Sequence, residues 1–387
     1  MRILIAFDKF KDSLTASRAC EIAAAAIRAS HPDCQVDLCP LSDGGDGFTE
    51  VLTAAVDGRL ARREVMGPRG DPASAPFGTV DFSNVPRAAL GLLGLDDETA
   101  PEGTLGIVEM ASASGLAMLE PDQRDPMRAT SYGTGQLIGA AADSGATIIL
   151  LGVGGSATHD LGLGALAAMG MDFFSADGRK LRPPVPEDWA RLARIRGSVS
   201  PLIPPIRIAC DVSNPLLGSN GAAAVFAPQK GLRPGDFDRL EQASARVAAQ
   251  LCDWCGQPTS LVREPGAGAA GGIAFGLMVA AGAQLLPGAA LVSAWLDIDA
   301  RIAAADLVIT GEGRYDKSSL GGKGPGVIAA KATAAGRPVH IFAGEIRGGG
   351  GANLHSITPA GTDLPRALRD APAYLAAAVT TAFQDQF

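Results

Sequence analysis

The feature that most limits how this chain can fold is a repeated grammar at its two ends. Residues 3–7, ILIAF, form a short, β-branched apolar run that stops at Asp8. A run of that length bounded by polar residues reads as a buried strand. The loop DKFKDS follows, and Thr15 is placed to cap a helix whose apolar positions Ala16, Ala19, Ile22, Ala23, Ala26 and Ile27 share one face. VDLCPL (36–41) reads as a second strand and SDGGDG as the loop after it. Near the other end, DLVIT (306–310) reads as a strand, GEGRYDKSSLGGKGP as a glycine-rich loop, GVIAAKATAAG as a helix closed by Gly336, and PVHIFAG (338–344) as another strand. The final segment, from about Pro365, reads as helical with a break at Pro372.

Strand–helix alternation of this kind predicts a parallel sheet with helices on its faces, and ligands at the carboxyl ends of its strands. Because both ends share the pattern, residues 1–64 and 284–387 are expected to build one α/β domain, with 65–283 inserted as a second. The chain of 387 residues, 47% hydrophobic, is long enough for two such cores. Within the middle, TSYGTGQLIGAAADSGATIILLGVGGSATHD reads as loop, helix, strand and glycine loop, and LGLGALAAMG as a helix. IRIACDVSNP reads as a strand ending in an Asp-Asn-Pro turn, followed by a polar loop that ends at Lys230.

Charge and composition exclude several classes. The formal net charge is −8, aromatic residues are 5%, and no Lys/Arg-rich run occurs, so nucleic acid is not an expected partner. Residues 265–296 carry no charge, but Gly and Pro interrupt them and no basic flank follows; a buried helix is expected, not a membrane span. The amino terminus lacks the apolar length of a signal peptide, and Cys252 and Cys255 form a single C-x-x-C pair without the further ligands that a zinc site needs. A cytoplasmic protein with reduced thiols is expected, and homo-oligomerisation is left open.

The chemistry concentrates in a few loops. Gly152, Gly154 and Ala157 fit G-x-G-x-x-A, with Asp177 about twenty residues beyond, a loose dinucleotide fingerprint. Ser156 and Thr158 add hydroxyls beside backbone amides at an expected helix start, which favours an anion such as phosphate. Lys9 and Lys11 precede a helix amino terminus, where lysines make sense if an anion lies between. Asp43 and Asp46, and Glu312 and Asp316 with Arg314, follow strands and suit Mg2+, which takes one or two carboxylates plus phosphate oxygens. Asp211 stands at a strand end, the usual address of a catalytic acid or base. A Walker A loop and a G-x-S-x-G elbow are both missing, so neither a P-loop kinase nor an α/β-hydrolase is expected.

Taken together, DKFKDSLTA, LSDGGDG, VEMASASGLAML, RATSYGTGQLI, GGSATHDLGLG, DVSNPLLGSNGAAAVFAPQKG, GAGAAGG, DLVITGEGRYDKSSLGGKGP and AGEI resemble, in order and nearly end to end, the bacterial class I glycerate kinases. The resemblance implies transfer of the γ-phosphoryl of ATP, with Mg2+, to D-glycerate, most often on the 2-hydroxyl. It also implies two α/β domains, one flavodoxin-like and one with a restriction-endonuclease-like mixed sheet, and a site in the cleft between them. At these positions Gly154, Gly155, Ser156, Thr158, Lys9 and Lys11 are the candidates for gripping ATP phosphates, and Asp43 and Asp316 for holding the metal. Asp211 or Asp160 would be the proton acceptor, Lys11 a catalytic cation, and Lys230, Arg314 and Ser131 contacts to substrate. The chain departs from the family pattern at His159, where Asn is usual, at Leu161, where Gly is frequent, and at Asp46, where Glu is usual. The alternatives are a nicotinamide-dependent oxidoreductase built on the G-x-G-x-x-A loop, a non-catalytic anion sensor, and phosphorylation of the 3-hydroxyl.

Overall fold

The computed structural model describes residues 1–95, 102–316, 319, 324–348 and 353–384. In chain order its strands are β1 (Arg2–Phe7), β2 (Gln35–Leu38), β3 (Arg59–Met66), β4 (Pro72–Asp81), β5 (Thr104–Glu109), β6 (Ala146–Gly152) and β7 (Asp172–Ser175). They continue with β8 (Leu192–Arg196), β9 (Ile206–Ala209), β10 (Gln284–Leu286), β11 (Leu307–Tyr315), β12 (Val339–Ile346) and β13 (Leu354–Ser356). The chain divides into two compact units, Met1–Asp43 with Val292–Phe387, and Gly44–Leu291. The borders therefore fall at 43/44 and 291/292, not near 64 and 284. Pairing accounts for part of this: β3 joins β4 along its whole length and β10 joins β9, which ties residues 59–66 and 284–286 to the second unit.

The first unit carries a five-stranded sheet in the order β13-β12-β11-β1-β2, parallel throughout. Counted within the unit, that order is 2-1-3-4-5, the flavodoxin-like arrangement whose switch point lies between β1 and β11. Helix Ala16–Ser30 starts where Thr15 Oγ1 accepts from the Arg18 amide at 3.2 Å. Its buried stripe, including Ala19, Ile22, Ala23 and Ile27, packs with Leu375, Val379 and Phe383 of helix Leu364–Gln384.

Two expectations change here. Pro372 lies inside helix Leu364–Gln384 without ending it. A proline removes one backbone donor, and the buried stripe Ala371, Leu375 and Val379 runs on past it, so packing outweighs one lost bond. The GEGRY segment, read as loop, is the second half of β11. Its pairing with β12 continues through Gly311↔Phe342, Arg314↔Glu345 and Tyr315↔Ile346. Gly311 suits a strand because a Cβ there would meet the Phe342 carbonyl oxygen at 2.0 Å.

The second unit carries a six-stranded mixed sheet, β10-β9-β6-β5-β4-β3. β5, β6, β9 and β10 run parallel, and β4 and β3 are antiparallel to their neighbours. Helix Tyr132–Asp143 leads into β6, whose Ile149, Leu150 and Leu151 are fully buried. β7 and β8 form a separate antiparallel pair. The uncharged segment is divided among helix Ala269–Ala281, β10 and helix Gly288–Trp295; no described helix is long and apolar enough to cross a membrane.

Candidate active site

In the first unit, the segments after β1 and β2 bring two carboxylates to one lysine. Asp8, directly after β1, accepts from the Lys9 amide at 2.7 Å. The Lys9 ammonium lies 3.6 Å from Asp8 Oδ1 and 3.3 Å from Asp43 Oδ1. Glu312 sits on the neighbouring strand. Burial, with the charges of Asp8, Asp316 and Asp43, pushes its carboxyl up to about 7, against a hydrogen bond from Ser319. Burial likewise raises Asp8, with the Lys9 charge opposing. Lys9 is thus engaged by carboxylates, which differs from the expected grip on phosphate. Asp8 enters the site without having been singled out in the sequence, where it looked only like the end of an apolar run.

These oxygens are the donors that Mg2+ prefers. Among the described residues no group of three or more His, Cys, Asp or Glu could hold a metal ion by themselves. Beside the cluster, at the carboxyl ends of β1, β11 and β12, lies a cavity of about 630 Å3. Lys11, Arg314 and Arg347 line it with Phe10, Ile357 and Leu368. Arg314 Nε donates to Glu345 at 2.8 Å. Gly313 permits the layout, since a Cβ there would come within 2.9 Å of the Lys11 amide nitrogen. Residues 317, 318 and 320–323 of the glycine-rich loop lie outside the described residues.

In the second unit, the glycines after β6 admit another stretch of backbone. The Gly154 amide donates to the Gly44 carbonyl at 2.9 Å, and a Cβ on Gly154 would fall 2.8 Å from Gly45. The SDGGDG and GVGGSATHD loops are therefore packed on each other. The GAGAAGG stretch has the same explanation. A Cβ on Gly271 would meet the Thr158 carbonyl oxygen at 2.1 Å, and one on Gly276 the Leu161 carbonyl oxygen at 2.0 Å.

Several residues of the expected site make contacts within the protein. The helix after the loop begins at Leu163, so Ser156 and Thr158 do not stand at its amino terminus. That end is already served by Asp160, which accepts from the amides of Gly162 at 3.1 Å and Gly164 at 3.2 Å. Asp160 also accepts from the Ser131 amide at 2.7 Å and the Ser131 hydroxyl at 2.8 Å. Burial raises its carboxyl, and those donors pull the other way. With Asp160 and Ser131 both fully buried, Asp160 organises the loop and Ser131 holds Asp160; neither carries an open face for a substrate.

Lys230 is 2% exposed, and its ammonium donates to Ser156 Oγ at 2.8 Å and to the Thr158 carbonyl at 2.6 Å. Burial drives it down to about 7, with Asp160 opposing. It staples the loop from beneath, where a substrate carboxylate was expected to meet it. Of the expected phosphate-binding residues, Gly155 is exposed and Gly154 partly so, while Ser156 and Thr158 are buried.

His159 is fully buried and packs against helix Phe237–Cys255. Ser244 Oγ donates to the Leu240 carbonyl at 2.8 Å, so it accepts from His159 Nε2 at 3.1 Å. Burial, then the Lys230 charge, holds the imidazole near 3, hence neutral. His159 Nδ1 and Thr158 Oγ1 have no hydrogen-bond partner among the described residues. Leu161 adopts φ +53°, a conformation that suits glycine better than leucine.

Asp211 differs from Asp160 in being exposed, just beyond β9. Both of its carboxylate oxygens lie 2.9 Å from the Ala289 amide, at the start of helix Gly288–Trp295. Asp177, the acid of the dinucleotide reading, sits after β7 and is bonded to Ser175 and the Arg179 amide, away from any strand that parallels β6.

The family model for the glycerate kinase family matches residues 3–385. The chain belongs to the glycerate kinase family. It is accordingly an enzyme of a phosphotransferase family, and the oxidoreductase reading is not favoured. This family member is 38% identical over 353 residues to the glycerate kinase of Haemophilus influenzae, covering 90% of this chain and 86% of that one. It is 36% identical to the glycerate 2-kinase of Escherichia coli, covering 89% and 86%. A crystal structure from Salmonella typhimurium LT2, assigned as glycerate kinase 2, superposes with a TM-score of 0.76 at 35% identity, over 100% of this chain and 98% of that one.

Proposed function

We propose that this family member phosphorylates D-glycerate with ATP and Mg2+, on the 2-hydroxyl. The observation that carries the reading is the family match over residues 3–385, with relatives named glycerate kinase and glycerate 2-kinase. The carboxylates of Asp8, Asp43 and Glu312, and the adjoining cavity lined by Lys11 and Arg314, add chemical support.

Phosphoryl transfer calls for positioning and charge neutralisation more than for covalent chemistry. Asp43 and Asp316 would hold Mg2+, which would supply charge neutralisation at the phosphate oxygens, and Asp8 and Glu312 add negative charge nearby. Lys11 and Arg314 would bind anionic groups in the cavity they line, and the exposed backbone at Gly155 offers a further donor. Lys9 balances Asp8 and Asp43. Asp211 would accept the proton of the glycerate hydroxyl, because of the two acids considered for that task it alone reaches solvent.

A coupled assay tests the reading. The protein is incubated with ATP, Mg2+ and D-glycerate, and enolase is added without a mutase. Immediate dehydration identifies 2-phosphoglycerate. A signal only after a mutase is added means the 3-hydroxyl, and no ADP formation sinks the kinase reading.

A further inference from the structure

The second unit holds another cavity, of about 740 Å3, that the proposed reaction does not use. Six cations line it: Arg69, Arg128, Arg179, Lys180, Arg182 and Arg191. Its acids are Asp177, Glu187 and Asp188, and each is ion-paired to one of those arginines. Lys180 pairs with Asp172. Arg69 and Arg182 remain. Among the described residues neither makes an ion pair within 4.0 Å, although Glu187 acts on Arg69 and Asp172 on Arg182 at longer range: Arg69 donates to the Gln123 carbonyl at 2.6 Å, and Arg182 donates to the Tyr132 hydroxyl at 2.6 Å.

A lining with three more cations than acids is unexpected on a chain whose net charge is −8. Like charges brought together repel unless an anion joins them. The guanidinium fork matches phosphate oxygens in bidentate geometry. The apolar lining is Met66, Leu181, Pro183 and Val185, without an aromatic ring on which a nucleobase could stack. The chemistry therefore favours a compact anion over a nucleotide.

We propose that this cavity binds a small phosphate-bearing anion, inorganic phosphate or a phosphate monoester, between Arg69 and Arg182. The site is connected to the glycine loop. Thr130 lines the cavity, its hydroxyl accepts from the Tyr132 amide at 3.1 Å, and it lies 3.4 Å from Asp160. An anion that draws Arg182 from the Tyr132 hydroxyl acts one residue from Ser131, which holds Asp160.

The test is calorimetric titration of the full chain with inorganic phosphate and, separately, with glycerol 3-phosphate. The wild type, Arg69→Ala/Arg182→Ala, the single variants Arg69→Gln and Arg182→Gln, and Lys11→Ala are compared. The expected result is a binding component that weakens at least tenfold in the double variant, weakens in each single variant, and is still present in Lys11→Ala. The tighter of the two probes tells free phosphate from an ester. Should the double variant fail to fold, the single variants give the same reading. The proposal is overturned if neither probe binds the wild type, if the arginine variants bind as well as the wild type, or if binding is lost only in Lys11→Ala. These readouts are independent of turnover, so failure of the kinase assay leaves them intact.

Discussion

The Lys230 ammonium donates to Ser156 Oγ at 2.8 Å and sits beneath the loop that the sequence offers as a phosphate grip. Replacing it with an apolar side chain of similar length separates a structural role from a charge that meets substrate. Lys230→Met leaves the Thr158 carbonyl without this donor, a cost of about 1–3 kcal/mol for a buried acceptor. Denaturation at pH 7 should therefore begin at lower urea. The variant should also lose a pH dependence. With Lys230 near 7 when folded, against 10.5 for an ordinary lysine, the folded state holds fewer protons between those values. Wild-type stability from this group accordingly rises with pH across that window. Urea midpoints at pH 7 and pH 9.5 check this: the wild type should gain more than Lys230→Met, and equal gains would refute the assignment.

The same lysine shows where the sequence was legible and where it was not. The β1–helix–β2 start, the Thr15 cap and the strands near 307 and 339 follow from period and turn chemistry, which act locally. What Lys230, Ser131 and Asp160 do depends on contacts between residues dozens of positions apart, and nothing in their spacing encodes that. The glycine motifs were visible, but a glycine that admits phosphate and one that admits another backbone read alike. Only the approach of Gly154 to Gly45 distinguishes them. Glu312 looked like a loop acid because Gly311 and Gly313 flank it, whereas strand pairing with β12 overrode that local signal.

Gly154 and Gly155 should respond differently to alanine. At Gly154 the new Cβ would press on Gly45 backbone at 2.8 Å, which cannot swing aside as a side chain could. Gly154→Ala should part the two loops and reduce kcat at least tenfold. At Gly155 the nearest atom is a Cβ at 3.3 Å, and the cost is chiefly φ +69°, about 1–2 kcal/mol. Gly155→Ala should stay closer to wild type in turnover. Kinetics of the two purified variants decide it, and the opposite ranking would show that loop-on-loop packing is not what Gly154 serves.

Leu161 sets backbone strain against burial. Its φ of +53° would relax in Leu161→Gly, but the fully buried side chain would be lost from the core that includes Ile273 and Leu216. Left-handed backbone costs roughly 1–2 kcal/mol, and deleting a buried leucine side chain costs about 2–5 kcal/mol. Burial should win, so Leu161→Gly should be net destabilised in urea unfolding; a stabilised variant would mean that strain dominates.

Glu109 is 5% exposed and accepts from the Thr49 amide at 2.8 Å, at the start of helix Phe48–Ala54. Burial pushes its carboxyl up to about 7, against hydrogen bonds from the amides of Thr49 and Gly47. Between 4.5 and about 7 the folded state then holds more protons than the unfolded chain, so this group's contribution falls as pH rises. Glu109→Gln removes the titration and keeps an acceptor. Relative to wild type, the variant should gain stability from pH 5 to pH 7.5 and level off beyond. A difference that is constant over that range would count against the raised value.

Asp211 separates capping from catalysis. Its carboxylate accepts from the Ala289 amide, and an asparagine oxygen can do the same, so Asp211→Asn should keep the wild-type unfolding midpoint. The amide cannot take a proton from a hydroxyl. General-base catalysis is worth about 100- to 10,000-fold, so kcat with D-glycerate should fall at least 100-fold with KM for ATP little changed. Asp160→Asn should differ in its stability. An amide nitrogen placed among the Ser131, Gly162 and Gly164 donors would disrupt the loop, so stability should fall together with activity. If Asp211→Asn turns over within a few-fold of wild type, its carboxylate is a helix cap and the proton goes elsewhere.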